Sequence, residues 1–111
     1  MIRDFPPDET GEMLRLMQEQ GDDLSVARDL DFYLIFETRD EASAFASQAD
    51  LGPEFSVSTS RYEKTSKWQV TLTVHMAPVY AEIVMLEKQV TRLGREHGGQ
   101  PDGWGCAKAS Q

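Results

Sequence analysis

The chain has 111 residues, 40% of them hydrophobic and 27% charged, with a formal net charge of −8. One cysteine, Cys106, excludes an internal disulfide framework, a CxxC redox pair and a multi-cysteine zinc site. The acidity argues against a free-standing nucleic-acid binder, because phosphate neutralisation supplies most such affinity.

Pro6-Pro7-Asp8 opens a predicted first helix with Met13, Leu16 and Met17, joined by Leu14, on its apolar side. Gly11 weakens that helix by about 1 kcal/mol relative to Ala, and Gly21-Asp22-Asp23 stops it. From Asp29 to Glu37 the pattern alternates. Leu30, Phe32, Leu34 and Phe36 point one way, and Asp31, Tyr33, Ile35 and Glu37 the other, as in a half-buried strand. Thr38 with Glu41 reads as a capping box. The helix behind it carries Ala42, Phe45, Ala46 and Ala49 and stops at Leu51-Gly52-Pro53.

A second strand alternates Phe55, Val57 and Thr59 with Ser56, Ser58 and Ser60, and a polar turn follows over residues 63–67. The clearest strand sets Trp68, Val70, Leu72, Val74 and Met76 against Gln69, Thr71, Thr73 and His75. Pro78 is expected at the first position of a long helix, where a missing N–H costs nothing. Val79, Ile83, Leu86, Val90 and Leu93 give that helix its apolar face, and Gly98-Gly99 and Pro101 end it. The stretch 102–107 is long enough for one short last strand.

A helix followed by β-α-β-β-α-β, with one apolar face per strand, predicts an α+β fold. It is the ferredoxin-like split βαβ arrangement: an antiparallel sheet with helices on one face, plus an N-terminal helix. Residues 1–111 are expected to form a single domain, with 1–28 as the N-terminal helix and entry loop and 29–107 as the βαββαβ core. A chain of this size buries about 65% of its unfolded surface, enough for one core without staples. No apolar run approaches the roughly 18 residues of a membrane span, and Met1-Ile2-Arg3-Asp4 opens no secretory signal. A cytoplasmic protein with no membrane partner is expected.

Charge is uneven. Residues 1–54 hold 14 Asp/Glu against 4 Arg, and residues 55–111 hold 5 Asp/Glu against 7 Lys/Arg. An acidic half of this kind either serves solubility alone or steers a basic partner into contact. The outward positions of the clearest strand offer no aromatic platform for bases. His75 and His97 lie on different elements without ligands at metal spacing, so no metal or other cofactor is expected. No local nucleophile–base arrangement and no phosphate-cradling loop is present, and the chain has no Asn to orient water as an acylphosphatase would. No catalytic residue is assigned.

Trp104 has two readings. It is an interface anchor, or it packs on the long helix or a neighbouring strand while Gly103 and Gly105 permit close approach. Arg28 suits a structural ion pair, and Cys106 suits small-residue packing. Tyr33 and Ile35 mark a sheet face open to a protein partner, to a second copy as a homodimer, or to cover by the C-terminal residues.

Two stretches carry a family resemblance. Gly21-Asp22-Asp23-Leu24, continuing to Arg28-Asp29-Leu30-Asp31-Phe32, resembles the entry motif of the bacterial ribonuclease E inhibitor RraB family (regulator of ribonuclease activity B). Gly98-Gly99 followed by Asp102-Gly103-Trp104-Gly105 resembles its C-terminal signature. There are two departures. Pro101 stands where family members often carry Tyr, and only six residues follow Gly105 where the enterobacterial type has a long acidic tail. The resemblance implies a non-enzymatic protein that binds ribonuclease E or its scaffold region and slows RNA turnover without touching nucleic acid directly. The contact is expected to draw on the acidic half, with Asp22, Asp23, Asp31, Tyr33, Asp102 and Trp104 as candidate partner-binding residues. The alternative is a ligand-binding regulatory domain or a dimeric small-substrate enzyme using the open sheet face, which needs a pocket of roughly 300 Å³ or more.

Overall fold

In the computed structural model, which describes residues 5–48, 52–61 and 65–106, the chain runs α1 (Glu9–Glu19), β1 (Arg28–Phe36), α2 (Arg39–Gln48), β2 (Ser56–Arg61), β3 (Trp68–Met76), α3 (Tyr80–Glu96) and β4 (Gln100–Cys106). The strands form one sheet in the order β2-β3-β1-β4, and every neighbouring pair is antiparallel. The fold is α+β, with three helices and a four-stranded antiparallel sheet among the described residues. Strands β1 and β2 are separated by β3, and β3 and β4 by β1, so each helical connection skips one strand.

Alternation decides which side of the sheet is covered. In β1 the residues Arg28, Leu30, Phe32, Leu34 and Phe36 are buried, while those between them keep solvent exposure. β3 buries Val70, Leu72 and Val74 on the same side. Both sheet-packing helices lie there. Phe45 of α2 meets Phe36 with ring centroids 5.4 Å apart, and Gly94 of α3 sits against Leu34. The two central strands bury the larger side chains, each worth about 1.5–3 kcal/mol on transfer from water.

Two helices end the same way. Gly21 and Gly98 adopt left-handed φ of +88° and +87°. Behind them Asp22 N–H donates to Met17 O (3.0 Å) and Gly99 N–H to Gly94 O (2.8 Å). Gly21 N–H reaches Gln18 O and Gly98 N–H reaches Arg95 O, which completes a Schellman cap in each case.

Four sequence expectations are corrected. The buried stripe of α1 is Thr10, Gly11 and Leu14, with Met17 packed beside it, whereas Met13 and Leu16 are exposed. Polar Thr10 faces inward onto Trp104 and Glu87, and small Gly11 faces the turn that leads into its own helix. A Cβ on Gly11 would stand 1.9 Å from Pro6 O, so glycine here answers packing and not only helix propensity. Pro78 is not the first helical residue, since Val79 is the N-cap and α3 begins at Tyr80. Pro78 is instead a fully buried residue ahead of the cap. The Thr38–Glu41 box is half made: Glu41 N–H donates to Thr38 Oγ1 at 3.2 Å, and the carboxylate meets the hydroxyl at 3.3 Å. The last strand starts two residues earlier than expected, at Gln100. Ala49, Leu51, the start of the polar turn at Glu63 and the strand end at Ala107 lie outside the described residues.

Candidate functional site

Six residues were singled out from the sequence, and the structure divides them between interior and surface. Asp22 is wholly enclosed. Arg28 Nη1 lies 2.8 and 2.9 Å from its two carboxylate oxygens. The same guanidinium donates from Nη2 to Asp23 O (2.6 Å) and from Nε to Val26 O (3.1 Å). It thereby closes the loop between α1 and β1 on itself. Burial of both side chains, 0% exposed for Asp22 and 7% for Arg28, makes the pair structural. Asp23 faces solvent more, but its Oδ1 turns the loop by accepting from Ser25 N–H (3.1 Å) and Ser25 Oγ (2.7 Å).

Trp104 lies in the core under the helices, opposite Phe32. Its indole N–H donates to Thr10 Oγ1 at 3.3 Å, and Thr10 donates onward to Glu87 Oε1 at 3.0 Å. One chain of hydrogen bonds therefore ties β4 to α1 and α3. Burial pushes the Glu87 carboxyl above its ordinary value, with Thr10 opposing the shift and Glu9 and Asp8 adding to it. At the start of α1 the order is reversed. Asp8 caps the helix by accepting from Gly11 N–H (2.8 Å), and the Tyr80 hydroxyl also donates to it. Those two bonds hold the Asp8 carboxyl below its ordinary value, the tyrosine contributing most.

The remaining candidates share the sheet face that carries no helix. Asp31 accepts from Thr73 Oγ1 at 2.6 Å across the β1–β3 ladder. Tyr33 stands two residues on, opposite Thr71, and burial foremost, then Asp31, raises its phenol. Next to Tyr33 the β1–β4 register slips, from Phe32 opposite Trp104 to Leu34 opposite Pro101. Asp102 and Gly103 fall in that bulge. Asp102 borders a hollow of about 340 Å³ shared with Ile35, Glu37, Lys67 and Gln100.

Sequence reasoning passed over the partners that complete this face. His75 Nδ1 lies 3.0 Å from Asp29 Oδ1, and Lys67 Nζ lies 3.2 Å from Glu37 Oε1. Their alternation was visible, but the β1–β3 register that brings them together was not. No group of three or more His, Cys, Asp or Glu able to hold a metal occurs among the described residues. A larger groove of about 1010 Å³ runs between α1, α3 and the start of β4, lined by charges of both signs. No helix is long and apolar enough to cross a membrane among the described residues.

Fold and surface together define a small α+β module with one polar, helix-free sheet face. The match to a family model is specific: residues 7–106 match RraB, Regulator of ribonuclease activity B, and the chain belongs to that family. No curated protein matches it closely enough to count as a relative. The family is one of regulators of ribonuclease activity, which points to a protein partner.

Proposed function

We propose that this chain is a non-enzymatic, cytoplasmic regulator that binds ribonuclease E, or the scaffold region of that nuclease, and slows RNA turnover by masking a surface. The observation that carries the reading is the family match across residues 7–106. The uneven charge supports it, since 14 carboxylates in residues 1–54 suit a basic partner. Asp23, Asp31, Tyr33 and Asp102 are the candidate contacts that keep solvent exposure. The fold reads as a ferredoxin-like single domain with an added α1. Counted from the β4 edge the strand order is β4-β1-β3-β2, and the two β-α-β units interleave as a split βαβ arrangement does.

Titration calorimetry against the host's ribonuclease E, whole and then split into catalytic and scaffold halves, tests the reading. Saturable binding to one half, weakening as salt is raised, is expected. Absence of binding to every fragment overturns it. A ligand-binding or small-substrate role draws on the 340 Å³ hollow beside Ile35. A metabolite that raises the melting temperature by mass action would favour that role.

A further inference from the structure

We propose that the helix-free face of the sheet is the docking surface, and that its occupant is an extended, cationic protein segment with an apolar residue at its centre. The inference rests on the regulator reading and adds the surface and the chemistry of what it holds.

Residues two apart on a strand stand about 6.8 Å apart on one face. Along this face β1 and the residue after it present Asp29, Asp31, Tyr33, Ile35 and Glu37 in that order. Carboxylates hold both ends, and a half-buried aromatic and an aliphatic side chain hold the middle. Opposite them β3 supplies His75, Thr73, Thr71 and Gln69, none of which is a carboxylate. The His75 imidazole is already engaged by Asp29, and the Lys67 ammonium by Glu37. No cationic side chain among the described residues pairs with Asp31 or Asp102. The face is therefore negative in sum, with an apolar centre and a polar rim, the layout of a protein-binding patch.

Geometry sets the form of the occupant. The strip from Asp29 to Glu37 is eight residue steps, about 27 Å, which matches an extended segment of about nine residues. At the Glu37 end the 340 Å³ hollow, with Asp102 on its border, has room for a lysine or arginine side chain. On the helix side cations are interleaved with the carboxylates. Arg15 is held between Glu12 and Glu19 there, and Lys88, Arg92 and Arg95 share the large groove with Asp8, Glu9, Glu87 and Glu96.

The test uses the full chain, isotope-labelled, and a synthetic peptide of about nine residues, Arg-Ser-Arg-Ser-Leu-Ser-Leu-Ser-Arg, whose alternate positions set cations at both ends and leucine at the centre of one face. Amide shifts should move along β1, β3 and β4 and stay still on α1 and α3. Tyr33→Ala and Asp29→Lys should each weaken peptide binding about tenfold or more. Glu82→Lys, which makes the same change in net charge on an exposed position of α3, should leave binding nearly unchanged. Shifts confined to the helix side, or equal losses from Asp29→Lys and Glu82→Lys, would overturn the proposal. Nuclease binding that survives Tyr33→Ala and Asp29→Lys combined overturns the docking surface alone. Peptide binding on this face without any nuclease binding overturns the nuclease reading alone.

Discussion

The two faces of the sheet are built from the same strands and do opposite work. Under the helices lie Leu30, Phe32, Leu34, Phe36, Leu72 and Trp104, closed off from water. On the other face Asp29, Asp31, Tyr33, Thr71, Thr73 and His75 remain in contact with it. Most of the residues that carry the family resemblance fall on the covered side or in the caps that feed it, whereas Asp29, Asp31 and Asp102 of the same stretches reach the open face. Gly21 and Gly98 end helices, Asp22 locks Arg28, and Trp104 ties three elements together. The signature thus marks the scaffold for the most part and reaches the open face at those three carboxylates.

The sharpest way to break that division is Arg28→Met. It strands the Asp22 carboxylate in the interior, and such one-sided losses cost about 3–5 kcal/mol. Urea unfolding should show the drop, while an Asp22→Leu/Arg28→Met double variant should recover much of it. A loss from Arg28→Met no greater than that of a surface change would mean that the pair is not structural.

Trp104→Phe comes next. It keeps most of the apolar volume but removes the indole donor to Thr10, for an expected cost of about 1–2 kcal/mol. Hydrogen exchange should quicken in α1 before it does in β1.

Smaller again is the pH effect of Glu87. Its folded pKa is raised above 4.5, so ionisation opposes folding. The penalty is present above the folded pKa and fades as pH falls toward the unfolded value. Glu87→Gln should therefore raise the melting temperature at neutral pH, and the gain should vanish near pH 4.5. Asp8, whose pKa is lowered, works with the opposite sign and loses its contribution as the solution is acidified.

The smallest expected effect on stability belongs to the open face. Tyr33→Ala should change unfolding by no more than about 1 kcal/mol while weakening partner contact about tenfold or more. A large destabilisation there would show that Tyr33 supports the fold instead of the surface.

Strand alternation was legible because a one-sided sheet enforces it: Trp68–Met76 is the strand at both ends, as its pattern indicated. The Thr71–Thr73–His75 row was legible for the same reason. The inward face of α1 was not legible. Thr10 is held by Trp104 and Glu87 from distant elements, and Gly11 lies against the Pro6 backbone just ahead of the helix, demands that no hydrophobic period signals. Trp104 and Asp22 were weighed as partner contacts because an aromatic beside glycines and an acidic pair look alike whether inside or out. What separates them is the arrival of Thr10 and Arg28 from elsewhere in the chain. The bulge at Asp102–Gly103 was equally hidden, since it exists only relative to β1.

The two tryptophans give the molecule a pair of internal lamps. Trp104 lies across from Phe32 with its indole bonded to α1, and Trp68 lies across from Phe36 with the Arg39 guanidinium 5.7 Å from its ring. One therefore reports by fluorescence on the seating of the first helix and the other on the far end of the central strand pair. Replacing either with Phe lets the remaining emission follow its own end, so detachment of α1 and melting of the sheet can be timed separately without any added dye.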